Sequence, residues 1–399
     1  MGEARGSPPL RDRVVMTKQR SLKKLVRERM QRTGETYTTA HRVITSKRPE
    51  RRPPGLLPSY PEAGYAVHRE SALVQRLLTS AGLELSEALV CGLGGGIGFM
   101  YAVFEYKALP HPLLTFVAQH HPRPWIEQVA ENLGLELRSA TSSSAKPALA
   151  KLDAALEAGQ PALITVGRGG LPWFSDVNPI EAADPYNIGV VGKHGDDYLI
   201  DDCSESVQVA PAAALADAWG LYRKARFAVQ TLALPSGGHN DMTEALRAAI
   251  ATTVAHMTGP VLGNSFDINF GLSGIAKWAD ELADDRTKKG WQARFGQGPG
   301  FEHAVARIAE CFTHAYSAPG ATRPIYARFL EEADSTSSLP LGPAAKIAAE
   351  SGNLWEEVVE VAVKAQDPGT TFAAIGDLAR RLHEVESQLA QTLGRAVET

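Results

Sequence analysis

All segments with a strand-forming pattern lie in the first 234 residues of the chain, and the residues after them show only helical periodicity. The strand candidates are apolar segments at 162–166, 187–191, 198–200 and 227–232. The segment 192–197 carries Gly and Asp, which suits an antiparallel hairpin between the second and third candidates. Helical patterns early in this part and antiparallel strands late in it favour an α+β fold over a doubly wound parallel sheet.

A Pro-Ser-Gly-Gly sequence at 235–238 ends this mixed part of the chain. Beyond it, six segments carry apolar residues at helical spacing between Gly and Pro breaks, which predicts an all-helical domain. The predicted helices are 245–257, 272–282, 302–316, 325–333, 344–363 and 372–393. At about 150 residues per domain, 399 residues agree with two globular domains, which we place at 60–234 and 238–399.

Charge separates a third part of the chain, residues 1–55, from these two domains. Residues 1–54 hold 15 Lys and Arg against five Asp and Glu, whereas the remainder holds 26 against 40. The formal net charge of −4 therefore describes neither part. We predict a basic helical arm, with a short helix from Leu22 to Met30 and a Pro-rich linker at 47–55.

The basic arm predicts contact with nucleic acid or with an acidic protein surface, because several neutralised phosphates would release counterions. A solubilising tail that neutralises the acidic remainder is the alternative. The residues expected to make such contacts are Lys23, Lys24, Arg27 and Arg29.

Cysteine usage and hydropathy predict a cytoplasmic protein. The three cysteines are widely spaced, which argues against a disulfide framework and against a Cys/His metal pattern. The sequence has neither an apolar signal segment near residue 1 nor a run of about 18 apolar residues, so we expect no membrane contact. No cofactor and no metal are predicted, and the Trp-containing helical domain slightly favours a homodimer.

A glycine run at 92–98 is the most conspicuous local motif. Such a run lets backbone N–H groups approach a phosphate or an oxyanion, although tight packing is the commoner role. It matches neither the dinucleotide fingerprint nor a P-loop. His120 and His121 stand beside prolines and are typical of a solvated loop. Asp201 and Asp202 end a strand candidate and either form a turn or orient a histidine.

These pieces, in this order, resemble a known family. The segment His68–Gly82, followed by LSEALVCGLGGGIGFMY at 85–101, is similar to the N-terminal domain of butirosin biosynthesis protein H. The segments NFGLSG at 269–274, KGW at 289–291 and RPIYARFLEEA at 323–333 are similar to the uncharacterised helical domain that usually follows. The resemblance covers about 60–399 and leaves the basic arm outside.

The resemblance implies a bacterial antibiotic-biosynthesis protein whose first domain has a papain-like, cysteine-peptidase-type fold. It further implies an acyltransferase that moves an aminoacyl group from a carrier-protein thioester to an amine. The implied partners are therefore an acyl carrier protein and a small-molecule amine. In this chemistry a thiolate at a helix N-terminus attacks the thioester, a histidine on a later strand is the base, and a carboxylate orients the histidine.

The sequence departs from this pattern at two of the three catalytic positions. In our alignment the nucleophile position is Arg69, and the base position is Tyr186, with Asn187 next. The acid position is kept, as Asp201 or Asp202. Arginine cannot act as nucleophile or base at neutral pH, and tyrosine, with an ordinary pKa of about 10, is a poor base there.

Three hypotheses follow. In the first, acyl transfer continues with Cys91 or Ser71 as nucleophile and His68 or His194 as base. In the second, Arg69 anchors a carboxylate or phosphate and the amine attacks the acyl donor directly. In the third, the domain is a pseudoenzyme that binds a ligand or partner, and the basic arm targets it.

The acyl-transfer hypothesis predicts a cleft lined by His68, Arg69, Cys91, the glycine run and Asp201. The candidate catalytic residues are six in all. They are His68, Arg69, Ser71, Cys91, Tyr186 and Asp201. The candidate substrate-binding residues are Gly94, Gly95, Gly96, Phe99, Trp173 and Asn187.

Overall fold

The computed structural model describes residues 52–107, 109–174 and 184–398 of the protein. The predicted helix of the basic arm, with Lys23, Lys24, Arg27 and Arg29, lies outside the described residues.

Two short helices, together with the capping residue His68, carry four of the six candidate catalytic residues. Helix α1 (Arg69–Ser80) begins after His68, whose ring accepts a hydrogen bond from the Ser71 N–H. Helix α2 (Glu87–Leu93) begins after Ser86, whose hydroxyl accepts the Leu89 N–H. Each cap satisfies a backbone donor that has no partner inside the helix, which fixes where the helix starts.

The strands of the first part form two antiparallel sheets. In chain order the elements are β1 (Met100–Phe104), β2 (Leu113–Val117), α3 (Trp125–Leu133), β3 (Glu136–Ala140), α4 (Ala145–Glu157), β4 (Ala162–Gly167), β5 (Pro185–His194), β6 (Asp197–Asp201), β7 (Gln208–Pro211), α5 (Ala212–Leu221) and β8 (Val229–Ala233). β1 pairs with β2, and the other six form a sheet in the order β3-β8-β4-β5-β6-β7. Every pairing is antiparallel, which confirms the predicted α+β class.

The part after 238 is helical, as the periodicity predicts. Its helices are α6 (Met242–Thr258), α7 (Gly271–Ala283), α8 (Trp291–Phe295), α9 (Pro299–Cys311), α10 (Arg323–Thr336), α11 (Gly342–Val363) and α12 (Pro368–Glu398). Single 3₁₀ turns lie at Arg168–Gly170, Arg223–Ala225 and Ser265–Asn269. Among the helices described, none combines the length and apolar character needed to span a lipid bilayer.

The hydrophobic cores of the two parts are shared across the 235–238 boundary. The β1–β2 hairpin, which the strand pattern did not predict, packs into the helical part: the Phe116 ring lies 5.2 Å from that of Trp278. The Phe99 ring, just before β1, stacks 5.6 Å from that of Trp355 on α11. The residues around the glycine run are therefore enclosed by helices from the second part of the chain.

One fully buried ion pair joins these parts. Arg323, at the start of α10, donates from Nε to Glu386 on α12 at 2.7 Å, and neither side chain is exposed. Its Nη1 donates to the carbonyls of Gly98 and Ala118, at 3.0 and 3.1 Å. Burial raises the pKa of Glu386, but the charge and hydrogen bond of Arg323 outweigh it, so the net pKa lies below its usual range.

Breaking this pair from one side will destabilise the protein strongly. Arg323→Met leaves the Glu386 carboxylate buried without its counter-charge, and we expect the free energy of unfolding to fall by about 3–5 kcal/mol. The double variant Arg323→Met/Glu386→Leu should lose much less than the sum of the two single losses. Urea unfolding measures all three values. As a control, Arg381→Met removes an exposed ion pair with Glu357 and should lower the free energy of unfolding by at most about 1 kcal/mol. A loss as small as this for Arg323→Met would contradict the prediction.

Candidate functional site

The start of α1 faces the start of β5, so that the expected nucleophile and base positions are in contact. The guanidinium carbon of Arg69 lies 3.7 Å from the centroid of the Tyr186 ring. Nη1 of Arg69 donates to the backbone carbonyl of Asn187 at 2.5 Å, and Nη2 donates to Glu70 at 3.2 Å. The two positions that resemblance pairs as catalytic are thus neighbours in the structure, occupied by a stacked Arg and Tyr.

The partners of Arg69 are themselves held in place. Asn187 donates from Nδ2 to Glu70 at 2.7 Å and accepts at Oδ1 from the Thr165 hydroxyl at 2.6 Å. Thr165 lies directly opposite Asn187 in the β4–β5 register, which explains this second bond. Glu70 therefore bridges Arg69 and Asn187, and the cluster is closed by its own hydrogen bonds.

The protonation states of Arg69 and Tyr186 follow from this packing. Burial lowers the pKa of Arg69, but its neighbours, including Glu70, outweigh that effect and the net pKa is raised, so the guanidinium keeps its charge. Burial raises the pKa of Tyr186 above its ordinary value, although the Arg69 charge opposes this. At neutral pH Tyr186 is therefore a neutral phenol beside a permanent cation.

The two aspartates of the acid position have separate partners. Asp201 is buried and accepts two hydrogen bonds from Arg76 Nη1, at 2.8 and 2.7 Å, and one from the Tyr60 hydroxyl at 2.7 Å. It therefore ties α1 to the end of β6. Asp202 accepts the indole N–H of Trp173 at 2.8 Å, which orients that ring.

Cys91 and Ser71, the proposed replacement nucleophiles, lie in the interior. Neither has exposed surface. Ser71 Oγ lies 2.6 Å from His68 Nδ1, and His68 Nε2 lies 2.7 Å from Gln119 Oε1. Burial raises the pKa of the Cys91 thiol to about 12 and lowers the pKa of His68. This polar chain is internally satisfied, and Cys91 is a neutral thiol at neutral pH.

His194, the other candidate base, is exposed at the far end of β5 from Tyr186. His194 lies eight residue steps along the strand from Tyr186, which is about 26 Å at a rise of about 3.3 Å per residue. His194 is therefore not brought to the start of α1.

The glycine run passes under aromatic rings. A Cβ on Gly94 would lie 2.0 Å from the indole of Trp125, and one on Gly95 would lie 2.5 Å from the His120 ring. Gly96 has φ of 63°, and its Cβ would lie 2.2 Å from the Tyr326 ring. These glycines are buried, as is Phe99, which favours the packing alternative for the run. Of the six candidate substrate-binding residues, only Trp173 and Asn187 are half-exposed.

Two further groups were not among the candidate site residues. The expectation of a solvated loop is wrong for His120, which is 7% exposed and whose two ring nitrogens have no hydrogen-bond partner within the described chain. Its ring lies 4.9 Å from that of His256.

Arg168, directly after β4, has no charged neighbour in the sequence, and its guanidinium lies beside Phe174 and Tyr186. Across the described segments, no three metal-ligating side chains come together.

The burial of His120 predicts that the protein loses stability in acid. Burial and the neighbouring His256 lower the pKa of His120 to about 3, whereas in the unfolded chain it is about 6.5. Below about pH 6.5 the unfolded state therefore binds a proton at His120 that the folded state does not bind. The free energy of unfolding then falls as the pH drops, by up to about 1.4 kcal/mol per pH unit for this one group.

His120→Gln should flatten the dependence of the free energy of unfolding on pH between about 6.5 and 5, measured by urea unfolding at each pH. His194→Gln replaces an exposed histidine and serves as the matched control. Equal slopes for the wild-type protein and His120→Gln would rule out this role for His120.

Comparison with known proteins matches both parts of the chain. Residues 68–203 match the family described as butirosin biosynthesis protein H, N-terminal, and residues 216–393 match a domain of unknown function, DUF4872. A crystal structure of a proposed C39-like peptidase from Bacillus anthracis is similar over 44% of this chain and 96% of that chain, with 15% sequence identity and a TM-score of 0.31. No curated protein matches the chain.

Proposed function

The chain belongs to the butirosin biosynthesis protein H family, and we propose that it is a non-catalytic member that binds a ligand or partner where the family resemblance implies acyl transfer. The observation that carries this proposal is the stacked pair of Arg69 and Tyr186 at the nucleophile and base positions. A guanidinium has no lone pair available for attack at neutral pH, and a neutral phenol does not remove a proton from an amine.

The buried state of Cys91 and Ser71 supports the same proposal. A thiol becomes a nucleophile through its thiolate, and the raised pKa of Cys91 keeps that form scarce. Neither side chain has surface at which a thioester could dock. His68 is committed to Ser71 and Gln119 and has no face toward solvent.

What remains at the start of α1 is suited to recognition. Arg69, Tyr186, Asn187 and Trp173 are half-exposed. Glu70, Thr165 and Asp202 fix the orientations of Arg69, Asn187 and Trp173, and Tyr186 stacks on Arg69. Polar groups held in advance lose little conformational freedom when a ligand arrives. The position of Arg69 and Tyr186, where the resemblance implies catalysis, therefore has side chains already oriented for binding. It has no nucleophile.

Exposure to an acyl thioester should leave the protein unmodified. We expect no mass increase after incubation with an acyl N-acetylcysteamine thioester and no amide above the buffer rate when a primary amine is added, both measured by mass spectrometry. Native Cys91 should resist iodoacetamide, and unfolding in guanidinium should expose it to labelling, which is the control for detection. An acyl group on Cys91 or Ser71 would restore the first hypothesis, and amide without an acylated protein would favour direct attack by the amine; either result overturns the proposal.

Restoring the residues expected by resemblance should restore a reactive thiol. In Arg69→Cys/Tyr186→His, the introduced thiol lies at the N-terminus of α1 beside an imidazole, and both lower a thiol pKa. We expect this thiol to react with iodoacetamide at pH 7 about tenfold faster than in Arg69→Cys alone, with the midpoint of its pH profile below about 8.5. Peptide mapping assigns the label. Equal rates in the single and double variants would show that position 186 does not act on position 69.

A further inference from the structure

Arg168 is a cation beside the position where the resemblance implies catalysis, and it forms no ion pair with any described residue. It follows β4, and in the register β4 runs opposite the start of β5, so Arg168 and Tyr186 lie at the same end of the sheet. Within the described part of the chain, its side chain has no ion pair and no hydrogen bond, and its Nε is buried without a partner. Arg69, by contrast, is paired with Glu70.

The Arg168 guanidinium is held by aromatic rings. Its central carbon lies 4.7 Å from the centroid of Phe174 and 5.8 Å from that of Tyr186. These two rings meet edge to face at 5.3 Å, and the Trp173 ring lies 6.3 Å from that of Phe174. Contact with ring faces positions a guanidinium without using its N–H donors, which lie in its own plane.

The described carboxylates near this group have other partners. Asp184 accepts the Tyr316 hydroxyl at 2.8 Å, and Asp202 accepts the Trp173 indole N–H and the Ser204 backbone N–H. Asp202 is buried, and it holds the Trp173 ring beside Phe174. The donors of Arg168 are therefore left for a group that the described part of the chain does not supply.

From this arrangement we propose that Arg168, Phe174, Tyr186 and Trp173 form a binding site for a small ligand that carries a carboxylate or phosphate on a planar, apolar body. The forked guanidinium of Arg168 takes the anionic oxygens in pairs, and the three rings contact the planar body. This inference rests on the proposed function, because it names the ligand class bound at the inactive catalytic position.

The test uses the full chain and titration calorimetry with four probes that share a phenyl ring: phenyl phosphate, benzoate, benzyl alcohol and benzylamine. We expect one or both anions to bind at millimolar concentration with one site per chain, more weakly as salt is raised, and more tightly than the neutral and cationic probes. The comparison of phenyl phosphate with benzoate tells which anion the site prefers. Absence of binding by both anions, or tighter binding of benzylamine, overturns the proposal.

Variants locate the site. Arg168→Gln should weaken anion binding by about tenfold, since it removes a charge-assisted pair of hydrogen bonds. Phe174→Leu should weaken the phenyl anions more than inorganic phosphate, because it removes only the ring. Arg138→Gln, at an exposed surface pair with Glu136, is the matched control and should bind as the wild-type protein does. Equal affinity in Arg168→Gln and Arg138→Gln contradicts the proposal.

The two proposals fail in different ways. An acylated protein or an amide product overturns the non-catalytic function while leaving anion binding measurable. Loss of anion binding in every arm, with no acylation, overturns the ligand assignment and leaves the non-catalytic function standing.

Discussion

The fully buried pair of Arg323 and Glu386 is the constraint on which the rest of the structure depends. A charge without water must be matched by counter-charge and hydrogen bonds, and this pair obtains them from both parts of the chain: Glu386 from Ser351 and Trp355, and Arg323 from the carbonyls of Gly98 and Ala118. Those two carbonyls bracket the β1–β2 hairpin. The hairpin and the end of the glycine run are therefore set by a residue more than 200 positions away.

The position of the glycine run also determines which residues pack around the start of α1. Trp125 and Tyr326 cover Gly94 and Gly96 so closely that no side chain fits there. The His68 ring lies 4.7 Å from that of Trp125 and reaches Ser71 and Gln119. The enclosed polar chain from Cys91 to Gln119 thus supports α1 from within, while Arg69, one residue after the cap, points to the opposite side, toward β5. Buried residues of the core and the half-exposed Arg69 therefore lie on the same helix turn.

The sequence predicted the helices that have a clear apolar periodicity of their own. All six helices expected after 238 are present, because each has a wide apolar stripe bounded by Gly or Pro. The β1–β2 hairpin was not expected, since residues 105–112 join its strands without a short hairpin-turn sequence, and its apolar residues pair with distant helices. At the site, the resemblance pairs positions 69 and 186, and their side chains are in contact. The burial of His120 could not be predicted from its neighbours in sequence, because it results from contacts with Gly95 and His256.

Where the resemblance implies a thiol and an imidazole, this chain has Arg69 and Tyr186, which changes the chemistry of the position but not its need for balanced charge. A reactive Cys–His pair holds one negative and one positive charge side by side. Here the positive charge of Arg69 is balanced by Glu70, and the phenol of Tyr186 supplies an electron-rich face in place of an anion. The charges at this position are thereby balanced within the chain, which agrees with the proposed binding function. Arg168 is the exception among its described neighbours, since the same rings that hold it offer no carboxylate, and a buried donor without an acceptor is stabilised when a ligand provides one.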